Sequence, residues 1–263
     1  MMLPRIPYVE VPTLSLDLPL AGEITLGIFG LLVATGIAVG SRLVTRYGRQ
    51  RGLDPHELQR LITGCVVVGL ACAHWVAVLG YHPGRVAADP WVLIRFFDGI
   101  SSVGGFMGGV IAFAWLTRTA RDRWSLADAI VYGLVAGFGI GRLGCALVHD
   151  HPGALVDPHH PLAVGPWPDG SVRLDLGLVE VLGMSVLACI TYIGRWRTPG
   201  RLTLTIAGLY AVGRFWLDHL RAVDIRHGGL TVAQWAMLAL LVLCVAAWRS
   251  QNPGSTARGT RSP

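Results

Sequence analysis

The chain has 263 residues, 52% of them hydrophobic and 14% charged, with a formal net charge of +6. Soluble domains carry roughly 25% charged residues, so this composition excludes a soluble enzyme and points to a helical protein that crosses a membrane several times. The positive balance comes wholly from arginine, since lysine is absent; it lacks the aromatic interleaving of a nucleic-acid groove, so anionic lipid rather than nucleic acid is the expected partner.

The opening segment, 1–20, holds Arg5, Glu10, Asp17 and four prolines. That pattern does not match the charged start and cleavage site of a secretory signal, so the first span is expected to be retained. Apolar windows long enough to span a bilayer then fall near 22–45, 59–80, 97–117, 126–148, 175–194, 202–220 and 230–248. The expectation is an all-α bundle of about seven spans, with residues 1–248 forming one transmembrane domain. Arg42, Arg46, Arg49, Arg51 and Arg60 flank the first turn-around. Arg118, Arg121 and Arg123 lie in the third connection, Arg195, Arg197 and Arg201 in the fifth, and Arg249, Arg258 and Arg261 after the last span. By the positive-inside rule these connections are cytoplasmic, with the amino terminus outside and the carboxyl terminus inside. The segment from His149 to Arg173 is rich in proline and glycine and reads as a small extracytoplasmic head. Residues 249–263 read as a disordered tail. The five cysteines are scattered through spans and suggest no disulfide frame.

Charges inside the spans are the informative feature. Arg142 sits in Gly139-Ile140-Gly141-Arg142-Leu143-Gly144, where the glycines remove bulk around it. An arginine within a span costs on the order of 2.5–3.5 kcal/mol by insertion scales, so it requires a counter-ion, a wet cavity or a function. Arg214, Asp218 and Arg221 follow i, i+4, i+7 spacing on one helical face. At a rise of about 1.5 Å per residue, Asp98, Arg142, Asp150, Glu180, Arg214, Asp218 and Arg221 all fall toward the outer side. An intrahelical salt bridge explains Arg214 and Asp218 alone. Two cationic faces at one depth instead suggest a site for a phosphate-bearing lipid. Gly104-Gly105 and Gly108-Gly109 fit close helix packing as well as a ligand, and His74 fits a satisfied core histidine. His149, His151, His159 and His160 lack a common zinc spacing, so neither a metal nor another cofactor is expected.

In chain order, several segments resemble the prolipoprotein diacylglyceryl transferase family. Gly141-Arg142-Leu143-Gly144-Cys145, followed by His149-Asp150, resembles its Gly-Arg-Leu-Gly-Asn…Gly-Glu signature. Asp98-Gly99…Gly104-Gly105 resembles Asp-Gly…His-Gly-Gly, and Leu178-Val179-Glu180 resembles Leu-Tyr-Glu. Arg214-Phe215…Asp218…Arg221 resembles Arg-Phe-x-x-Glu-x-x-Arg, and Leu230-Thr231-Val232-Ala233-Gln234 resembles Leu-Thr-Met-Gly-Gln. The resemblance implies a multi-pass bacterial inner-membrane enzyme, expected to be monomeric. Such an enzyme moves diacylglyceryl from phosphatidylglycerol to the lipobox cysteine of a prolipoprotein signal peptide. It further implies substrate binding by Arg142, Arg214, Glu180, Asp218, Arg221, Gly104, Gly105 and Gly144.

The chain departs from that pattern where chemistry matters. The family's catalytic histidine is Val103 here, its asparagine is Cys145, and its two glutamates are Asp150 and Asp218. His149, with Asp150 and Asp98, is the expected catalytic set, and His151 is an alternative proton acceptor. Two readings stay open: a transferase with a displaced base, and a non-catalytic homologue that binds anionic phospholipid or lipoprotein precursor.

Overall fold

The computed structural model describes residues 6–12, 14–18, 22–95, 101–222 and 226–251. Eight α-helices carry most of them: α1 Ile28–Gln50, α2 Pro55–Trp75, α3 Pro83–Ala88, α4 Ser102–Leu116, α5 Arg123–Val148, α6 Leu176–Ile193, α7 Arg201–Leu217 and α8 Val232–Gln251. Each of the expected windows holds a helix. Five helical segments are long and apolar enough to cross a membrane: Ile28–Gln50, Pro55–Gly80, Arg123–Val148, Leu176–Ile193 and Val232–Gln251. Helices α4 and α7 are shorter, at 15 and 17 residues. Large apolar side chains stand exposed along the spans, among them Ile193 at 80% and Val242 at 68%. Such exposure suits contact with lipid rather than water.

Helix starts follow local chemistry. Asp54 accepts from the His56 amide to cap α2, and Asp175 accepts from the Leu178 amide to cap α6. Each satisfies a backbone donor that has no partner within the helix. The first window was expected to be helical from residue 22, yet Gly22–Leu26 is a strand, β3, paired antiparallel with β2, Leu14–Leu18. A local hairpin partner overrides the apolar average there. Residues 249–251 continue α8 instead of opening a disordered tail; the remainder of that expected tail lies outside the described residues.

Two compact units form, Met1–Gly36 with Val135–Pro263, and Ile37–Leu134. In the second unit, α4 lies against α2. A side chain at Gly104 would meet Val76 and the backbone of Cys72 and Ala73, and one at Gly108 would meet Val68 and Cys72. His74 is fully buried and its Nε2 donates to the Val92 carbonyl at 2.9 Å, the satisfied core histidine that its apolar setting suggests.

In the first unit, glycines let α1 and α6 approach α5. A Cβ at Gly36 would strike the Gly137 carbonyl, one at Gly144 would press on Phe29 and Leu32, and one at Gly177 would meet Cys145 and Ala146. Gly36→Leu should therefore cost about 1–3 kcal/mol through overpacking, read as a lower thermal unfolding temperature in detergent. An unchanged transition would refute the close approach.

The head that follows α5 is a small four-stranded sheet of order β1-β5-β6-β4, from Ile6–Pro7, Ala163–Gly165, Arg173–Asp175 and Pro152–Leu155. β1 runs parallel to β5, with Ile6 opposite Val164. β6 is antiparallel to both neighbours. A further short hairpin, β7 Arg226–His227 and β8 Leu230–Thr231, leads into α8.

Candidate active site

Three helices of the first unit turn charged side chains inward. Arg142 on α5 is 2% exposed, Glu180 on α6 is 6%, and Arg214 on α7 is 7%. Glu180 stands between the arginines, with Oε2 3.1 Å from Arg142 Nη1 and Oε1 3.4 Å from Arg214 Nε. Arg214 Nη2 lies 3.1 Å from Oδ1 of Asp218, which begins the 3-10 turn Asp218–Leu220 after α7. The chain of contacts continues: the Thr231 hydroxyl donates to Asp218 Oδ2. The Gln234 amide donates to Thr231 Oγ1 at 3.1 Å, and Gln234 Nε2 donates to the Phe215 carbonyl at 3.2 Å. Two guanidinium groups and two carboxylates thus alternate, so the buried cluster carries little net charge. Desolvation of each ion is offset only while all four remain together.

Arg142 retains capacity. Its guanidinium carbon lies 4.6 Å over the Phe138 ring. Its Nη1 serves Glu180, Cys145 Sγ at 3.5 Å and His151 Nε2 at 3.1 Å. Its Nε and Nη2 are buried without a hydrogen bond. Two unfilled donors on a buried cation make a ready receptor for anionic oxygen.

The residues after α5 split into two roles. His149, with φ +50°, makes its contacts with the head. Its Nδ1 is 2.5 Å from Asp175 Oδ2, its Nε2 accepts from the Val9 amide at 3.4 Å, and its ring stacks on Tyr8 at 4.4 Å. Trp167 closes the aromatic group from the side. Both nitrogens of the expected base are therefore engaged in tying β1 to the head. His151 instead faces Arg142. Its Nδ1 donates to the Asp150 carbonyl at 2.9 Å, which leaves the Nε2 lone pair toward the arginine. Burial, with Arg142 and Arg221 beside it, holds His151 below the ordinary histidine range against the opposing Asp150 carboxylate. Partial burial in turn pushes Asp150 above the usual carboxylate range, opposed by His151 and Arg142. Cys145, Asp150 and His151 bring one ligand atom each to within 4.8 Å of one another.

The other expected residues fall as follows. Arg221 closes the 3-10 turn, its amide donating to the Asp218 carbonyl at 3.4 Å, and its backbone bridges to Gly153 in the head. Gly144 is occupied by packing on α1. Gly104 and Gly105 lie in the second unit against α2, Gly104 tightly and Gly105 in ordinary contact. Asp98 lies outside the described residues. Val103 is buried on α4 at 8% exposure and offers no titratable group. Thr231 and Gln234 complete the charged network but were not among the expected site residues; the Leu-Thr-x-x-Gln segment was the signal for them.

The family model of prolipoprotein diacylglyceryl transferase matches residues 18–249. A protein of Thermosynechococcus vestitus named phosphatidylglycerol–prolipoprotein diacylglyceryl transferase is 30% identical, the match covering 91% of each chain. One of the same name from Geobacillus kaustophilus is 27% identical over 86% of this chain and 88% of its own. Another from Gloeobacter violaceus is 30% identical over 84% and 87%. A match across nearly the whole length, through the segments that carry Arg142, Glu180, Arg214 and Gln234, shows that the chain belongs to the prolipoprotein diacylglyceryl transferase family.

Proposed function

We propose that the chain moves the diacylglyceryl group of phosphatidylglycerol to the lipobox cysteine of a prolipoprotein. The observation that carries this reading is the pair of buried arginines bridged by Glu180, with donors of Arg142 still unfilled. In the reaction the substrate thiol attacks the glyceryl carbon that bears the phosphate ester. A carbon–sulfur bond forms, the carbon–oxygen bond breaks, and the electron pair leaves on the phosphate of glycerol phosphate. Arg142 and Arg214 hold the phosphate and neutralise the charge that grows on its leaving oxygen. Glu180 and Asp218 hold the two guanidinium planes in place, and Arg221 lies near the mouth. Apolar helix walls limit the access of water.

The thiol proton goes to His151, with Asp150 beside it. His151 is preferred to His149 because its Nε2 meets Arg142, the group that holds the phosphate, whereas the nitrogens of His149 meet Asp175 and the Val9 amide. A phosphate that draws Arg142 toward itself would release the His151 Nε2 lone pair, so substrate binding would expose the base. His151→Ala should lower transfer by roughly a hundredfold or more. The unprotonated ring is the active form, so the rate falls as pH drops through its pKa. With that pKa lowered, the acid limb should lie below the ordinary value of about 6.5 and vanish in His151→Ala. His149→Ala should instead weaken the head by about 1–3 kcal/mol without moving the limb. A limb unchanged in His151→Ala, measured by lipobox-peptide labelling, would remove His151 from the mechanism.

On the family resemblance the chain is read as a monomer in a bacterial inner membrane, and the arginine bias orients its amino terminus outside. Val103, apolar where the family has its histidine, favours a second reading, a homologue that binds phosphatidylglycerol or lipoprotein precursor without turnover. Complementation of a strain depleted of its own transferase separates them: growth supports the enzyme, and failure with normal membrane insertion supports the binder.

A further inference from the structure

We propose that Cys145, Asp150 and His151 form a binding site for a thiophilic divalent cation, Zn²⁺ or Cd²⁺, in competition with the Arg142 guanidinium. Each residue supplies one ligand atom, and all three lie within 4.8 Å of one another. The set is a thiol, an imidazole and a carboxylate, the ligand chemistry that zinc prefers. Polar side chains gather at the mouth of any charged pocket, so proximity alone decides nothing. What singles out this group is that its lone pairs already converge on a cation. Arg142 Nη1 stands 3.5 Å from Cys145 Sγ and 3.1 Å from His151 Nε2.

Geometry permits the exchange. Zinc bonds of about 2.0–2.3 Å in a tetrahedron separate neighbouring ligand atoms by about 3.3–3.6 Å. The present spread must therefore shrink by about 1 Å. Cys145 is fixed in α5, whereas Asp150 and His151 lie on the connection after it, and the Asp150 side chain is 40% exposed. The movement falls on the two ligands outside the helix, and a fourth position is left for water. Charge also balances. The cation displaces the thiol proton to solvent, and thiolate plus carboxylate neutralise its two charges, with the imidazole neutral. Arg142 then swings away toward Glu180, its nearest carboxylate.

The competition has a distinctive sign. A guanidinium next to a bound dication repels it, so removing that charge should tighten metal binding on the order of tenfold. Loss of a phosphate-binding group would ordinarily weaken a ligand, and here it strengthens one. The inference concerns binding and does not require turnover. Where the transferase reading holds, the metal inhibits by occupying His151 and dislodging Arg142.

The test is a titration of purified, chelator-stripped full-length protein in detergent with Co²⁺, followed by displacement with Zn²⁺. A saturable thiolate-to-cobalt charge-transfer band at one equivalent is expected, with one proton released per metal. The band should disappear in Cys145→Ser, which keeps Cys65, Cys72, Cys189 and Cys244 as internal controls. Binding should weaken at least tenfold in His151→Ala. In Arg142→Gln it should tighten about tenfold. Absence of a band in the wild type, its persistence in Cys145→Ser, or weaker binding in Arg142→Gln overturns the site. Should Arg142→Gln fail to fold, Cys145→Ser and His151→Ala decide the matter. Loss of transfer without metal binding, or the reverse, separates this site from the transferase reading.

Discussion

Arg142→Gln is expected to reduce diacylglyceryl transfer by roughly two to three orders of magnitude, the typical loss when one donor to a developing oxyanion is removed from a dry site. The substitution is close to isosteric in its first carbons and removes only the charge and the donor fork. The arginine is 2% exposed, with Nε and Nη2 unfilled, so solvent cannot replace what is lost. Labelling of a lipobox peptide, alongside binding of phosphatidylglycerol to the purified protein, reads both halves of the effect. Arg118→Gln, which alters a cation stacked on Trp115 at the end of α4, is the matched control and should leave the rate unchanged. Near wild-type transfer by Arg142→Gln would end the phosphate-binding role.

The second large effect is on folding. Among the described residues, Glu180→Ala removes the carboxylate paired with Arg142 and one of the two paired with Arg214. Two guanidinium groups would then face each other in a buried setting. Breaking a buried pair from one side costs about 3–5 kcal/mol, enough to threaten most of a domain's net stability. Thermal unfolding in detergent should fall steeply for Glu180→Ala and less for Glu180→Gln, whose amide oxygen still accepts. If Glu180→Ala unfolds with the wild type, the carboxylate does not hold the arginines. Asp218, fully buried and shared between Arg214 and Thr231, offers a comparison on the far side of the network.

Much of this arrangement was legible in the residues. Apolar windows located every long helix but missed the short α3, Pro83–Ala88, since lipid imposes length and composition only on a span. The charged quartet was legible because ions in apolar segments are costly enough to need one another. Two kinds of feature were hidden. Apolar content cannot separate a helix from a strand with a local partner, hence β3 where the first span was expected to begin. Spacing likewise places His149 and Arg142 about two turns apart but ignores the φ of +50° that ends the helix register. That turn sends His149 to Asp175 and leaves His151 at the arginine. The glycines around Arg142 were read as clearance for a ligand; at Gly144 the neighbour that comes close is α1. Small residues admit helices and ligands alike, and sequence does not say which arrives.

The pairing of Ile6 with Val164 has a consequence for biogenesis. Strand β1 is made before α1, yet its partner β5 is synthesised only after α1 to α5. At about 5–20 residues per second of translation, the strand waits roughly 8–30 s with its backbone donors open. Tyr8 and Val9 cannot engage His149 until α5 is complete, so the head closes late and as one event. An amino-terminal fusion that slows the return of this segment would therefore leave a ribosome-released chain with its helices inserted and its head unsealed, the state in which proteases and chaperones act on it.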